Sequence, residues 1–318
     1  MYDDILVPVD DSEPASAILG HVTDLASWAD ATIQLLFVAD TGRHSVTVVE
    51  NEVVDGLVRK GTTIVEDVRD RLRAPGIECE TDVVQGTPAT TIVEYADRYD
   101  HDLIVMSTHG RTGVSRYLRG SVSEAVVRRS PVPVLTARMQ PDERLTFPYE
   151  DVLIPTDGSP GATRAVRHGV ALADSLGATV HALSVVEEGW LDRDDEPAAP
   201  SADPEQAADD EQAADPEQAA GGEQAADPEQ TAGGEQAAGD AVEAVVAEAE
   251  THGVTTTRHV ADGNPADVIF DRIDAVDADV VVMGTTGRRG ADRVLLGSVA
   301  ERTVRDAPVP VLTVGDTE

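Results

Sequence analysis

Val280-Val-Val-Met-Gly-Thr-Thr-Gly287, then nine residues, then Gly297-Ser298, is the stretch whose reading decides the fold. A short apolar run ends in two spaced glycines, and a glycine-serine pair opens a helix-like segment. Small residues there free backbone N–H groups beside a helix N-terminus, which is what a phosphate group needs. The same arrangement lies 177 residues earlier: Leu103 to Met106, Ser107-Thr-His-Gly110, nine residues, and Gly120-Ser121. The chain reads as two nucleotide-binding units in tandem.

The two copies extend in both directions. Ile5-Leu-Val-Pro-Val-Asp10 matches Val152-Leu-Ile-Pro-Thr-Asp157 at an offset of 147. Gly86-Thr-Pro88-Ala89 matches Gly263-Asn-Pro265-Ala266 at an offset of 177, and Pro131-Val-Pro-Val-Leu-Thr136 recurs as Pro308-Val-Pro-Val-Leu-Thr313. The second copy therefore carries a net insertion of 30 residues.

In copy one, strands are predicted near 4–9, 32–38, 78–84, 102–106 and 132–136, with helices near 14–29, 46–73, 88–99 and 121–130. Copy two repeats the order, with strands near 151–156, 179–186, 255–261, 279–283 and 309–314. The strands are Val/Ile/Leu runs without clear alternation, as expected when helices cover both faces of a sheet. Strands separated by helices imply right-handed crossovers and a parallel, doubly wound sheet. The fold class is thus α/β, with two tandem five-stranded parallel-sheet domains. Domain one is expected over 1–138, a linker over 139–148 and domain two over 149–318, interrupted at about 192–240.

From Glu205 to Glu235 the pair Glu-Gln recurs every six residues, a period that matches neither helix nor strand. Pro204, Pro216, Pro228, Gly221-Gly222 and Gly233-Gly234 are expected to break any continuous helix. The stretch lacks large apolar residues and is expected to be a disordered, solvating spacer.

Acidic residues number 60 against 24 basic ones, and Lys60 is the sole lysine. Half of the net charge of −36 comes from 18 acidic residues between Arg193 and Arg258, where no basic residue occurs. Such a chain should repel nucleic acid and anionic membranes, and neither is expected as a partner. The acidic, lysine-poor composition resembles that of proteins from salt-accumulating microbes, where ionic strength screens self-repulsion; an acidic mesophilic protein is the alternative. No apolar run approaches a membrane span of about 18 residues. Cys79 stands alone, which excludes an internal disulfide. Met1 leads almost directly into a strand, with no room for a signal peptide, so the expected location is cytoplasmic.

Ligands of open α/β sheets bind beyond the carboxyl ends of the strands, where the strand order reverses. The glycine loop follows the fourth strand of each copy and would lie at that edge. Asp10 and Asp157 end the first strands and would face the same crevice, where a carboxylate accepts from a ribose hydroxyl or a base amino group. Val38 and Val185, at the ends of the second strands, would supply apolar wall. The nucleotide-site candidates are thus Asp157, Val185, Gly284, Gly287, Gly297 and Ser298 in copy two. Asp10, Val38, Gly110, Gly120 and Ser121 are their counterparts in copy one.

Local explanations stand beside these. The glycines are equally suited to turns with φ > 0. Ser121-Val-Ser-Glu124 and Ser298-Val-Ala-Glu301 have the pattern of capping boxes, and both aspartates suit turns that cap the first helix. No catalytic constellation emerges: there is no His-Glu-x-x-His metal spacing, no Gly-x-Ser-x-Gly elbow and no Gly-x-x-x-x-Gly-Lys-Ser/Thr loop. No metal site is expected.

Across both copies outside the insertion, the chain resembles the universal stress protein family. The resemblance rests on the Val-Pro-Val-Asp10-Asp-Ser12 and Ile-Pro-Thr-Asp157-Gly-Ser159 starts, the Gly-x-x-Gly-x9-Gly-Ser element, the Thr-His-Gly-Arg-Thr-Gly113 loop and the Pro-Val-Pro-Val-Leu ends. It implies an adenine nucleotide alpha hydrolase-like α/β fold, pairing of units through the last strand, and ATP binding, with or without Mg2+, in one subfamily. A tandem member could pair its own halves as an intramolecular pseudo-dimer, and a homodimer of the whole chain stays open.

Carried over, the ATP-type element falls complete on Gly284, Gly287, Gly297 and Ser298. Copy one departs from it at Ser107, where the pattern has glycine, and at Asp11, where glycine is common. The leading expectation is a nucleotide-binding stress or regulatory protein. The alternatives are an interaction module without nucleotide and a slow ATP hydrolase.

Overall fold

The structure, a computed structural model, describes residues 1–10, 16–40, 46–49, 52–72, 77–108, 122–187, 228–287 and 296–315. The first half runs β1 (Asp4–Val9), α1 (Ser16–Ala29), β2 (Thr32–Asp40), β3 (Val46–Val49), β4 (Glu52–Asp55), α2 (Gly56–Arg71), β5 (Cys79–Gly86), α3 (Pro88–Arg98), β6 (Leu103–Ser107), α4 (Val122–Arg129) and β7 (Val134–Ala137). The second runs β8 (Asp151–Pro155), α5 (Pro160–Leu176), β9 (Thr179–Val186), α6 (Pro228–His252), β10 (Thr256–Asp262), α7 (Pro265–Ala275), β11 (Val280–Gly284), α8 (Ser298–Asp306) and β12 (Val311–Val314).

The main strands join in one ten-stranded sheet, ordered β10-β9-β8-β11-β12-β7-β6-β1-β2-β5. Each half contributes five parallel strands, and the halves meet where β12 runs antiparallel to β7. The pairing of units through the last strand, implied by the resemblance, is therefore made inside one chain. Its chemistry follows from the repeated Pro-Val-Pro-Val-Leu-Thr. Thr136 Oγ1 donates to the carbonyl of Val311 at 3.1 Å, and Thr313 Oγ1 donates to that of Val134 at 3.2 Å. Both hydroxyls are buried, so each bond satisfies a group that water cannot reach.

Alternation along the strands divides the core. Ile5, Val7, Ile33, Leu35, Val152, Ile154, Val180 and Ala182 face α1, α2, α5 and α6 in one apolar layer that spans both halves. On the other face the cores are separate. Leu6, Leu36, Ile104 and Met106 meet α3 and α4, whereas Leu153, Leu183, Val281 and Met283 meet α7 and α8. Leu296 packs against both of these smaller cores.

Two pairs related by the offset of 147 tie the halves reciprocally. Tyr2 Oη lies 2.7 Å from His168 Nε2, and Tyr149 Oη lies 2.8 Å from His21 Nε2. Tyr149 is held further by edge contact with Phe147, which also stands edge-on to Trp28.

Two expectations are corrected. Residues 46–49 and 52–55, expected within a helix, form the antiparallel strand pair β3–β4, and α2 begins only at Gly56. The β-branched run Val46-Thr-Val-Val49 and the pair Val53-Val54 explain the preference for strand. The stretch 228–240, expected to be disordered, is helical as the start of α6. Proline is tolerated in the first turn of a helix, which is where Pro228 sits. Gly233 and Gly234 lower local helix stability by about 1 kcal/mol each without forbidding it. The expected spacer over 192–227 lies outside the described residues. No described helix is long and apolar enough to cross a membrane.

Candidate functional site

In the second half the strand order reverses between β8 and β11, so the crevice of a doubly wound sheet opens beyond their carboxyl ends. On the β8 side the chain leaves through Thr156, whose N–H donates to the Leu183 carbonyl at 2.8 Å. Gly158 donates its N–H to Thr156 Oγ1 at 3.2 Å and adopts a φ of +75°, open to glycine at little cost. Asp157 Oδ1 accepts from the Ser159 N–H at 2.9 Å. Ser159 Oγ in turn accepts from the Ala162 N–H at 3.2 Å and caps α5, with Pro160 in its first turn. Asp157 thus performs the turn role with one oxygen, and its Oδ2 points toward Gly287.

On the β11 side the glycines serve a close approach of two backbones. A Cβ on Gly284 would lie 2.8 Å from the Gly161 carbonyl carbon and 3.1 Å from the Ala162 nitrogen. A Cβ on Gly161 would lie 2.6 Å from the Thr286 carbonyl oxygen. This pair of glycines lets the loop after β11 rest on the first turn of α5. A Cβ on Gly287 would come within 2.9 Å of Asp157 Oδ2, so a side chain at that position would press on the carboxylate. Thr285 donates its N–H to the Val314 carbonyl at 3.3 Å and accepts at its own carbonyl from Gly297 N–H at 2.9 Å. The loop is therefore fastened both to the last strand and to the start of α8.

Gly297 is the N-cap of α8, with no side chain to accept from the first-turn N–H groups. The capping-box expectation for Ser298 is accordingly corrected: Ser298 is the first helical residue, exposed, and the cap is Gly297. A helix start capped by glycine keeps its donors and its partial positive charge for an external acceptor.

Asp157, Gly284, Gly287, Gly297 and Ser298 are thereby gathered around one loop. Val185 is half-buried near the end of β9 and packs against the α7–α8 core. In the first half Asp10 is exposed just after β1, and Val38 packs against the α3–α4 core. Ser107 ends β6 beside Ala137 of β7. Gly110, Gly120, Ser121 and Asp11 lie outside the described residues.

Gly161 escaped the sequence reading, and Ser159 entered it only as part of the Ile-Pro-Thr-Asp157-Gly-Ser159 start, without its role as a helix cap. Their signal was present in Gly158-Ser-Pro-Gly161, whose last glycine is answered by Pro14 in copy one. Arg164, which donates from Nε to the Gly315 carbonyl at 3.1 Å, also went unnoticed. Gly315 in turn crosses to the first half, where a Cβ on it would lie 2.6 Å from the Ser130 carbonyl oxygen.

A model of the universal stress protein family matches residues 1–138 and 148–315. A universal stress protein of Methanocaldococcus jannaschii is 31% identical over 141 residues, 43% of this chain and 83% of that protein. One of Mycolicibacterium smegmatis is 26% identical over 323 residues, 98% of this chain and 96% of its own length. The crystal structure of a universal stress protein from Archaeoglobus fulgidus superposes with a TM-score of 0.66 at 22% identity, covering 99% of this chain and 97% of that one. That likeness extends to the tandem fold as a whole.

Proposed function

We propose that this chain, which belongs to the universal stress protein family, binds one adenine nucleotide in its second half and uses it as a regulatory ligand. The observation that carries this reading is the backbone contact between Gly161 and Gly284, which seats the loop of Gly287 between Asp157 and the glycine-capped start of α8. Phosphate recognition then falls to backbone N–H groups of the loop and of α8. Asp157 Oδ2, on the other wall, accepts from a ribose hydroxyl or the base. ATP suits this division, with the helix dipole at its phosphates and Mg2+ as a counter-ion where present. In this reading the glycine loop and Asp157 supply binding groups.

The first half lacks both members of the glycine pair, having Pro14 and Ser107 in their places. With neither glycine of the pair present there, one site per chain is proposed. Titration calorimetry with ATP in high KCl tests this: saturable heat is expected in the wild type and absent in Gly287→Val and Gly297→Val. A folded wild-type sample that gives no heat refutes the proposal. ADP and AMP titrated in the same way rank the contribution of the terminal phosphates.

A further inference from the structure

We propose that the pairing of the two halves is a proton-sensitive latch, closed by the reciprocal Tyr2–His168 and His21–Tyr149 bonds. These bonds cross the boundary in opposite directions: the residue two before β1 reaches α5, and the residue two before β8 reaches α1. A change in both therefore acts on the pairing itself rather than on either half alone.

His21 is 4% exposed and sits among Tyr149 and Phe147, with the latter edge-on to its ring. Its Nδ1 is buried with no hydrogen-bond partner among the described residues. An imidazolium there has two N–H groups, and Tyr149 Oη satisfies only one. Protonation would thus bury a charge and an unpaired donor at the boundary. The charged group acting on His21 is Asp24, one turn along α1, which favours the proton; burial outweighs it and lowers the pKa to about 4. Burial alone lowers His168 to about 4. On the tyrosine side, Asp102 acts on Tyr2, while Tyr2 and Asp279 act on Tyr149. Burial comes first at both phenols and raises them, so they stay neutral throughout the acid range.

Neutral rings keep the latch closed near neutral pH, and protonation opens it. A fall from 6.5 to about 4 corresponds to a weakening of the closed state by roughly 300-fold per histidine when both rings are charged. The change sets in below 6.5 and is complete near 4.

Trp28, which packs against Phe147 beside this pair, reports on it in full-length protein carrying Trp190→Phe. In high KCl its emission should change sigmoidally as pH falls from 6.5 to 4, and that change should vanish in His21→Gln/His168→Gln. An unchanged acid transition in the glutamine variant would assign it to carboxylates and overturn the proposal. Should that variant fail to fold, histidine ring resonances of the wild type decide. Two rings titrating near 4 together with loss of amide protection in β7 and β12 support the latch, whereas titration near 6.5 or persistent protection overturns it.

Discussion

Replacing Gly284 with alanine should loosen the second half without altering any chemical group of the site. The new methyl would stand 2.8 Å from the Gly161 carbonyl carbon, 2.9 Å from its oxygen and 3.1 Å from the Ala162 nitrogen. All three are backbone atoms in the first turn of α5, so no side chain can rotate away. To restore ordinary contact, α5 must withdraw from β11 by roughly half an ångström, and overpacking of this kind costs about 1–3 kcal/mol. The alanine also restricts the unfolded chain, which returns about 0.4–1 kcal/mol. A net loss of about 1–2 kcal/mol remains. Urea unfolding in high KCl measures it, with Gly239→Ala as the control. Gly239 lies within α6 with nothing among the described residues inside 4 Å of its would-be Cβ. That control should gain up to about 1 kcal/mol from helix propensity. If Gly284→Ala matches or exceeds the wild-type midpoint while Gly239→Ala behaves as expected, the close approach of the two backbones is wrong.

The remaining predictions concern single contacts. Among the described residues Gly287→Ala meets only the end of the Asp157 side chain, so its unfolding midpoint should shift by less than about 1 kcal/mol, while calorimetry should show ATP affinity falling at least about tenfold. Ser159→Ala removes the cap of α5 and should cost about 1 kcal/mol in a urea titration; an unchanged midpoint would remove Ser159 from the account of the site's rigidity. Thr136→Val and Thr313→Val each delete a buried hydroxyl bonded across β7 and β12. About 1 kcal/mol each is expected, together with faster amide exchange in those two strands; exchange that stays at the wild-type rate would contradict it. The buried histidines give a pH dependence of known sign. The unfolded chain takes up protons at His21 and His168 below 6.5, while the folded chain does so only near 4. Stability is therefore fully present above 6.5 and declines as pH falls to about 4, by about 3 kcal/mol per histidine. Thermal melts that stay flat between pH 6.5 and 5 would contradict this.

The alternation of apolar runs with helical stretches was enough to reveal two parallel-sheet units, because fully buried strands leave continuous Val/Ile/Leu runs. The repeat of Pro-Val-Pro-Val-Leu-Thr announced equivalent final strands, and the structure makes them partners. Their hydroxyl-to-carbonyl bonds could not be read beforehand, since they depend on antiparallel register. The β3–β4 strand pair was missed because a short β-branched run does not separate strand from helix by periodicity. The helical start of α6 was missed because Pro228 and the Gly233-Gly234 pair read as breakers, whereas a proline in the first turn leaves the backbone bonds of a helix intact. At the site, sequence spacing brought the glycines to notice but not their division of labour. Gly284 belongs to packing against Gly161, Gly287 to the approach of Asp157, and Gly297 to an open helix cap. The Tyr–His pairs left no trace in the sequence beyond recurring at the same offset, which carries meaning only once the halves are seen to face each other.

The stoichiometry of bound ATP, measured by equilibrium dialysis in high KCl on the wild type and on Gly287→Val, bears most directly on the central claim. One saturable ATP per chain, lost in Gly287→Val, is the expected result. Two per chain, none, or one that survives Gly287→Val would contradict a single site at the β8–β11 crevice of the second half.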